Sequence, residues 1–451
     1  MAEKGLSKRT YLIYGMGVSY FILDQIYNQW LSFYYLPPSN EVTLKPLLTP
    51  TLLIFAFIFG RMIDAALDPI VGYLSDKSKS KYGRRSFFMM IGGLPLALTL
   101  ILFFFPLKSS IMATFLWVAL INGLFFTAYT LVSGPYNALI PDLANTKEDR
   151  INLSTVQSTF RLAFTAIAMI LPGYFIAKMG NGNTEKGIRL TVILFTVLGI
   201  AGVYICAFFL KERELTQSRE KLETLKLKDS LKYAFEKETI IYFAAFFLFF
   251  SGFNILRGVV NYYVVSVMEL SVKSNTIISA LLFGAAAIAF PITGKLAKKY
   301  SYKKILIADI AILIVGTIGL LFVTKDNRIL AYPLFILCGL GLSGSAFIFP
   351  LTIISDIAVS IGKRKNISIE GVMFGIQGMF LKLAFLTQQI VQTTLLVRGS
   401  KVIGNGFKQA TKIGVYSTLI AAIVLFALSL VFYSILNAII KSEKKKCKKK
   451  A

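Results

Sequence analysis

Apolar stretches long enough to cross a hydrocarbon core of ~30 Å recur along the whole chain, separated by short polar connections. Twelve can be counted, centred near residues 22, 60, 96, 125, 165, 199, 252, 284, 312, 344, 382 and 425. Each is too long for a buried strand and reads as a membrane-spanning helix. The connections alternate in character. Basic residues concentrate at Lys4, Lys8 and Arg9, at Lys77 to Arg85, in residues 211–238, at Lys295 to Lys304, at Lys363 to Lys365 and in the tail KSEKKKCKKKA. The intervening connections near 36–47, 107–110, 269–274 and 324–328 are poorer in Lys and Arg. Positive charge collects on the cytoplasmic side, so the basic set faces the cytoplasm, and an even span count puts both termini there. The connection before the last span, with Arg398, Lys401, Lys408 and Lys412, runs against this pattern.

The one long polar insertion, residues 211–238, mixes charges with spaced leucines and reads as an amphipathic cytoplasmic helix. It divides the chain into a six-span half over 1–210, a central loop, a second six-span half over 239–440 and a basic cytoplasmic tail over 441–451. A faint repeat supports the division: GYLSDKSKSKYGRR follows the second span at Gly72, and GKLAKKYSYKK follows the eighth at Gly294. The expected fold is an all-α membrane protein of twelve transmembrane helices in two six-helix halves, an architecture that secondary transporters use.

Composition agrees. The chain has 451 residues, 55% hydrophobic and 14% aromatic, with a mean hydropathy of +0.67, too apolar for an ordinary soluble protein. The basic N-terminus is followed by a segment too long and aromatic for a cleaved leader, so the first span is expected to be retained. Lys and Arg number 49 against 23 acids. That excess is spread over alternate loops, which argues against nucleic acid as a partner; the Lys tail is expected to contact anionic membrane lipid, at ~1 kcal/mol per residue near the surface. There are no histidines, which excludes a histidine metal site or proton relay. Cys206, Cys338 and Cys447 are too scattered for a disulfide framework or a zinc site. Phosphate-binding, nucleophile-elbow and metalloprotease patterns are missing from the sequence, so neither an enzyme nor a cofactor is expected.

Candidate chemistry lies in the few polar residues inside apolar spans. Arg61, Asp64 and Asp68 fall at i, i+3 and i+7, on one face of the second span. Each costs roughly 2.5 to 3.5 kcal/mol at a helix centre, so each needs a partner or a use. The two acids can offer up to four oxygens to a hard monovalent cation such as Na+, or share a proton. The alternative is that Arg61 neutralises one acid and the group pins helices together. Lys382 reads as a switchable counter-charge or as a snorkelling cation. Asp24, Thr130, Ser133, Gln157, Arg161, Asn254, Arg257, Asn261 and Gln377 are further intramembrane polar candidates. Gly134 and Pro135 should bend the fourth span and aim Tyr136 and Asn137 into a gap. Asp76, Gly83, Arg84 and Arg85 form a tight turn at the membrane edge whose expected role is gating, and Asp356 in the tenth span is grouped with them.

Together these stretches resemble the glycoside-pentoside-hexuronide:cation symporter family of the major facilitator superfamily over essentially the whole chain. RMIDAALDPIVGYLSDKSKSKYGRR is similar to the family's R-x-x-D-A-x-x-D-P-x-x-G helix and basic loop. PYNALIPDL with Arg150 resembles its fourth-helix exit, QGMFLK from Gln377 to Lys382 its eleventh-helix lysine motif, and YGMGVSY at Tyr14 its first span. The resemblance implies that Asp64 and Asp68 bind the coupling cation, with Thr130 a hydroxyl ligand and Lys382 nearby. There are departures. Leu67 stands where some sodium-using members carry a polar residue, which strengthens the case for a proton. Ile22 and Ser133 replace the acids that melibiose-type members use to grip sugar hydroxyls, and Gln157 replaces an arginine, with Arg161 one turn later.

The expected activity is therefore alternating-access symport of a small polar solute (a sugar, glycoside or sugar acid) with H+ or Na+, by a monomeric multi-pass protein of a bacterial cell membrane. An exporter or flippase of amphipathic molecules such as lysolipids is the alternative within transport, and a sensor without turnover the alternative outside it.

Overall fold

The computed structural model describes residues 6–144, 147–216, 236–365, 370–403 and 406–450. All twelve predicted span centres fall inside helices. The amphipathic helix expected over 211–238 falls mainly on 217–235, outside the described residues. Two compact units emerge: Met1–Lys221 with Val272–Thr276 and Lys401–Gln409, and Leu222–Ser271 with Ile277–Ser400 and Ala410–Ala451.

In the first unit, the first span is a composite of α1 (Lys8–Met16), a 3-10 turn (Gly17–Ser19) and α2 (Tyr20–Tyr35). It is followed by α3 (Pro50–Lys77), α4 (Arg84–Phe103) and α5 (Ile111–Leu143). The fifth span is α6 (Lys147–Ile170) and α7 (Pro172–Gly180), the sixth is α8 (Thr184–Phe209), and a short α9 (Glu212–Leu215) follows. Helix starts are written locally: Thr49, Ser110 and Asn183 accept a backbone N–H three residues on, and Pro50 sits where a missing N–H costs nothing. α3 and α4 pack along α5, while α2, α4 and α7 pack on α8. The interior is aromatic, with Tyr27 stacked on Phe125 at 4.9 Å between ring centroids.

The second unit holds α10 (Lys237–Ser266), α11 (Ser274–Tyr300), α12 (Tyr302–Leu320), α13 (Ala331–Ser345), α14 (Phe349–Lys365), α15 (Glu370–Leu396) and α16 (Lys412–Lys450). α10 packs on α15 and α16, and α12 on α13 and α16. The segment expected as a separate tail is instead the continuation of α16, since nothing in its lysine-rich sequence stops a helix. Outer faces carry exposed large apolar side chains, among them Met112, Leu116 and Leu120 on α5 and Val424, Leu428 and Val431 on α16, as a lipid-facing surface requires.

Among the described residues, nine helices are long and apolar enough to cross a membrane. The other three expected spans are helical but more polar or shorter. The first is split and carries Asp24, Gln25, Asn28 and Gln29. The ninth, α12, is 19 residues long with Lys303, Lys304 and Asp309. The eleventh, α15, carries Lys382 and four glutamines. At Gly134 and Pro135, where a bend is expected, the helix is not interrupted: α5 runs from Ile111 to Leu143 through Pro135 and Pro141. A proline removes one ladder hydrogen bond, and packed neighbours can carry the helix past it.

Glycines set the closest helix approaches. A Cβ on Gly187 would lie 2.1 Å from the Ile176 carbonyl oxygen, and one on Gly339 2.2 Å from that of Leu282. Gly187→Ala and Gly339→Ala are each expected to destabilise the protein by roughly 1–3 kcal/mol through overpacking. Thermal unfolding of the purified protein checks this. Gly134→Ala, where a Cβ meets open space, should leave the midpoint unchanged or slightly raised.

Candidate functional site

The seam between α3 and α5 is tight because glycines face it. A Cβ on Gly60 would meet the Asn122 side chain at 2.4 Å, and one on Gly123 would meet Ile63 at 2.7 Å. Asn122 bolts the seam by donating to the Ala56 carbonyl at 2.7 Å and accepting from the Tyr27 hydroxyl at 2.9 Å. Further along the same seam, the Thr130 hydroxyl lies 2.9 Å from Asp64 Oδ1 and 3.5 Å from Asp68 Oδ1. Arg61 Nη1 is 3.4 Å from Asp64 Oδ2, and its guanidinium sits 4.2 Å over the Phe126 ring. Asp64, Arg61 and Thr130 are buried, whereas Asp68 is exposed.

Arg61, Asp64, Asp68 and Thr130, picked out from the sequence, thus meet at one place. Two carboxylates and a hydroxyl form an all-oxygen cluster suited to a hard monovalent cation or a shared proton. Among the described residues, no group of three or more His, Cys, Asp or Glu side chains could hold a metal ion.

Other candidates divide between surfaces and packing. In the first unit, the Gln157 amide donates to Asn137 Oδ1 at 2.7 Å, and Arg161 lies 4.8 Å over Phe21. Ser133 is half-buried on the same helix as Asn137. Tyr136 does not face a gap: it is fully buried, stacked on Tyr14 at 4.9 Å, and donates its hydroxyl to the Tyr14 carbonyl at 3.0 Å. Its large ring is what fills the space beside Gly17.

In the second unit, Asn254, Arg257 and Asn261 are buried on α10, and the Arg257 guanidinium sits 5.4 Å from the Phe385 ring centroid and 5.9 Å from that of Phe253. Gln377 is a strut: it donates to the Tyr242 hydroxyl at 2.7 Å, and Tyr242 donates to the Pro350 carbonyl at 2.8 Å, tying α15 to α10 and α14. Lys382 is half-buried on α15. Asp356 accepts from the Tyr302 hydroxyl at 2.6 Å, joining α14 to the start of α12. Sequence reading passed over Gln388 and Gln392, whose amides bond each other at 2.5 Å, Gln392 also donating to the Gly258 carbonyl at 3.0 Å.

The turn after α3 forms a second cluster. Gly83 takes φ of +110°, a conformation suited to glycine, at the N-cap of α4. With no side chain it cannot cap that helix. Glu212, from beyond α8, does so instead: its buried carboxylate accepts the N–H groups of Arg85 at 3.0 Å and Ser86 at 2.7 Å. Arg84 grips Asp142 through Nε at 3.2 Å and Nη2 at 2.6 Å. Arg85 reaches Asp142 at 3.1 Å, donates to Ser75 at 2.5 Å and pairs with Asp76. Asp76, Gly83, Arg84 and Arg85 are therefore one network. Its other members, Glu212 and Asp142, lie over 50 residues away in sequence; Asp142 falls within the PYNALIPDL stretch, whereas the signal for Glu212 was an acid standing beside a span end.

A family model described as MFS/sugar transport protein matches residues 13–437. Among curated proteins, the uncharacterized symporter YnaJ of Bacillus subtilis is 24% identical over 394 residues, covering 84% of this chain and 82% of that protein. The raffinose carrier protein of Pediococcus pentosaceus is 21% identical over 331 residues, covering 70% of this chain and 51% of that protein. Among solved structures, the nucleoside transporter NupG matches with a TM-score of 0.62 at 13% identity, over 96% of this chain and 99% of that one; at this identity the likeness concerns the fold alone.

Glu212→Ala should destabilise the protein by roughly 1–3 kcal/mol, since it removes a buried charged acceptor and the cap of α4 together. Glu214→Ala, which removes an exposed pair with Lys211, should change stability by less than ~1 kcal/mol. Thermal unfolding of both variants distinguishes a cap from a surface charge.

Proposed function

The chain belongs to the MFS/sugar transport protein family, and from that premise we propose that it is a cation-coupled symporter that carries a small polar solute across a cell membrane by alternating access. The family consists of membrane transporters rather than enzymes. The observation that carries the coupling is the buried Asp64 sharing the Thr130 hydroxyl with Asp68 across the α3–α5 seam.

In the empty carrier the two ionised acids sit close together, with Arg61 offsetting part of their charge. Moving that charge through a closed, low-dielectric state is costly. A cation held by Asp64, Asp68 and Thr130 removes the cost, so reorientation is favoured only when the cation is bound. H+ and Na+ both suit the oxygen cluster, and Leu67 between the acids favours the proton.

The solute is a sugar, glycoside or sugar acid. In the first unit the candidates to hydrogen-bond it are Ser133, Asn137, Gln157 and Arg161; in the second, taken by itself, they are Asn254, Arg257 and Asn261 on α10. Arg161 and Arg257 are each of a kind that suits an anionic group such as a carboxylate. Tyr136 and Gln377 act as packing supports rather than solute contacts. The Arg84–Arg85–Asp142–Asp76 network, with Glu212 beside it, holds a gate on the side that the charge pattern assigns to the cytoplasm.

Uptake by proteoliposomes under an imposed pH or sodium gradient, screened over neutral glycosides and hexuronates, tests the reading. Asp64→Asn and Asp68→Asn should each abolish gradient-driven uptake while the protein stays folded. Thr130→Val should raise the half-saturating cation concentration about tenfold or more, in line with roughly 1.5–3 kcal/mol for a hydrogen bond to a charged group, whereas Thr130→Ser should not. Undiminished gradient-driven uptake in either carboxamide variant rules out the assignment.

A further inference from the structure

The gate turn has a second face. Between residues 78–84 and the start of the segment after α8 lies a polar cavity of about 290 Å³, open to solvent. Its walls carry three cations, Lys79, Arg84 and Arg213, and three hydroxyls, Ser78, Ser80 and Thr216, around Gly83.

Among the described residues, the acids of the turn network are committed elsewhere. Asp142 is held by Arg84 and Arg85, Asp76 by Arg85, and Glu214 by Lys211. Glu212 turns its carboxylate onto the backbone of Arg85 and Ser86. Lys79 and Arg213 form no ion pair among the described residues and bring positive charge to the cavity wall. The serines are set to donate: Ser78 Oγ accepts from the Ser80 N–H at 3.4 Å and Ser80 Oγ accepts from the Tyr82 N–H at 3.2 Å, which leaves both hydroxyl protons for a ligand. Thr216 spends its proton on the Glu212 carbonyl at 2.9 Å and contributes only wall.

Two long cations and two hydroxyl donors around a small polar space match a tetrahedral oxyanion. The volume sits near the lower edge of small-ligand sites, about 300 Å³, which admits a phosphate group together with part of the molecule that carries it. We propose that this cavity is a binding site for a phosphate-type oxyanion, held by Lys79 and Arg213 with Ser78 and Ser80 as donors. Its occupant bridges the gate turn to Arg213, the neighbour of the capping Glu212, and so ties together the two segments that hold the start of α4. The phosphate is supplied either by an anionic lipid headgroup or by a soluble phosphate.

The test uses the full-length protein and reads binding, so its outcome is independent of the symport reading. Thermal unfolding is followed in detergent with inorganic phosphate against chloride at matched ionic strength, and in nanodiscs of phosphatidylcholine with or without phosphatidylglycerol. Wild type is compared with Lys79→Ala/Arg213→Ala, which removes exposed side chains and should unfold at the wild-type temperature in chloride. A rise of about 2 °C or more with phosphate, lost in the double variant, establishes the site with a soluble ligand. A rise only with phosphatidylglycerol, lost in the same variant, establishes it with a lipid headgroup. No rise in either arm, or a rise that the variant retains, overturns the proposal. The single variants Lys79→Gln and Arg213→Gln, each expected to raise the half-saturating phosphate concentration severalfold, keep the test decisive if the double variant is less stable in chloride.

Discussion

A carboxylate enclosed among apolar helices must have its charge met within a few ångströms, and the first unit is arranged around meeting that demand for Asp64. The hydroxyl that does so, on Thr130, belongs to α5 and can reach only because Gly60 and Gly123 let α3 and α5 touch. Asn122 and Tyr27 then lock the approach and bring α2 into the same assembly. Enlarging either glycine would therefore act on the acid through the spacing of the helices. The cost of burial, several kcal/mol for an unmet charge, is large beside the few tenths that any one apolar contact adds. It is the term that selects this helix spacing.

The same logic, with the sign reversed, governs the start of α4. There the unmet groups are backbone N–H donors, and the conformation of Gly83 rules out a local cap. Glu212 is drawn in from beyond α8, and in reaching α4 it carries the chain after the sixth span against the turn after the second. Two guanidiniums then share Asp142 at the end of α5. A single positive-φ glycine thus fixes where three separated segments must meet, and the polar cavity between them follows from that meeting.

Reading the sequence recovered what depends on spacing within one helix and lost what depends on pairing between helices. The span centres followed from runs of apolar residues, and the common face of Arg61, Asp64 and Asp68 from their intervals. Thr130 stood out only as one of several polar residues in apolar spans, and its place beside the acids came through family resemblance, because a lone threonine in an apolar helix has no distinguishing neighbour. Tyr136 was misplaced for a related reason: a proline beside a glycine suggests a gap, but whether a tyrosine faces the gap or fills the core depends on the opposing helix, here Gly17 and Tyr14. Glu212 and Asp142 look in sequence like ordinary charges near a membrane edge. Gln388 and Gln392 were overlooked because nothing in sequence marks which amides of a span meet one another and the backbone of the facing helix.

That last omission bears on how the two units differ. The first unit buries a carboxylate, Asp64, and meets it with the Arg61 guanidinium and the Thr130 hydroxyl. In α15 of the second, amides meet amides, Gln388 on Gln392 and Gln392 on the backbone of α10. A carboxylate changes its energy by several kcal/mol when a cation or proton arrives, whereas a paired amide is nearly indifferent to either. If the chain couples a cation to a solute as proposed, the sensitivity to the cation resides in the first unit. The amide-lined α10–α15 seam, which can exchange one hydrogen-bond partner for another at little net cost, is the part of the fold better adapted to a neutral, hydroxyl-rich solute group.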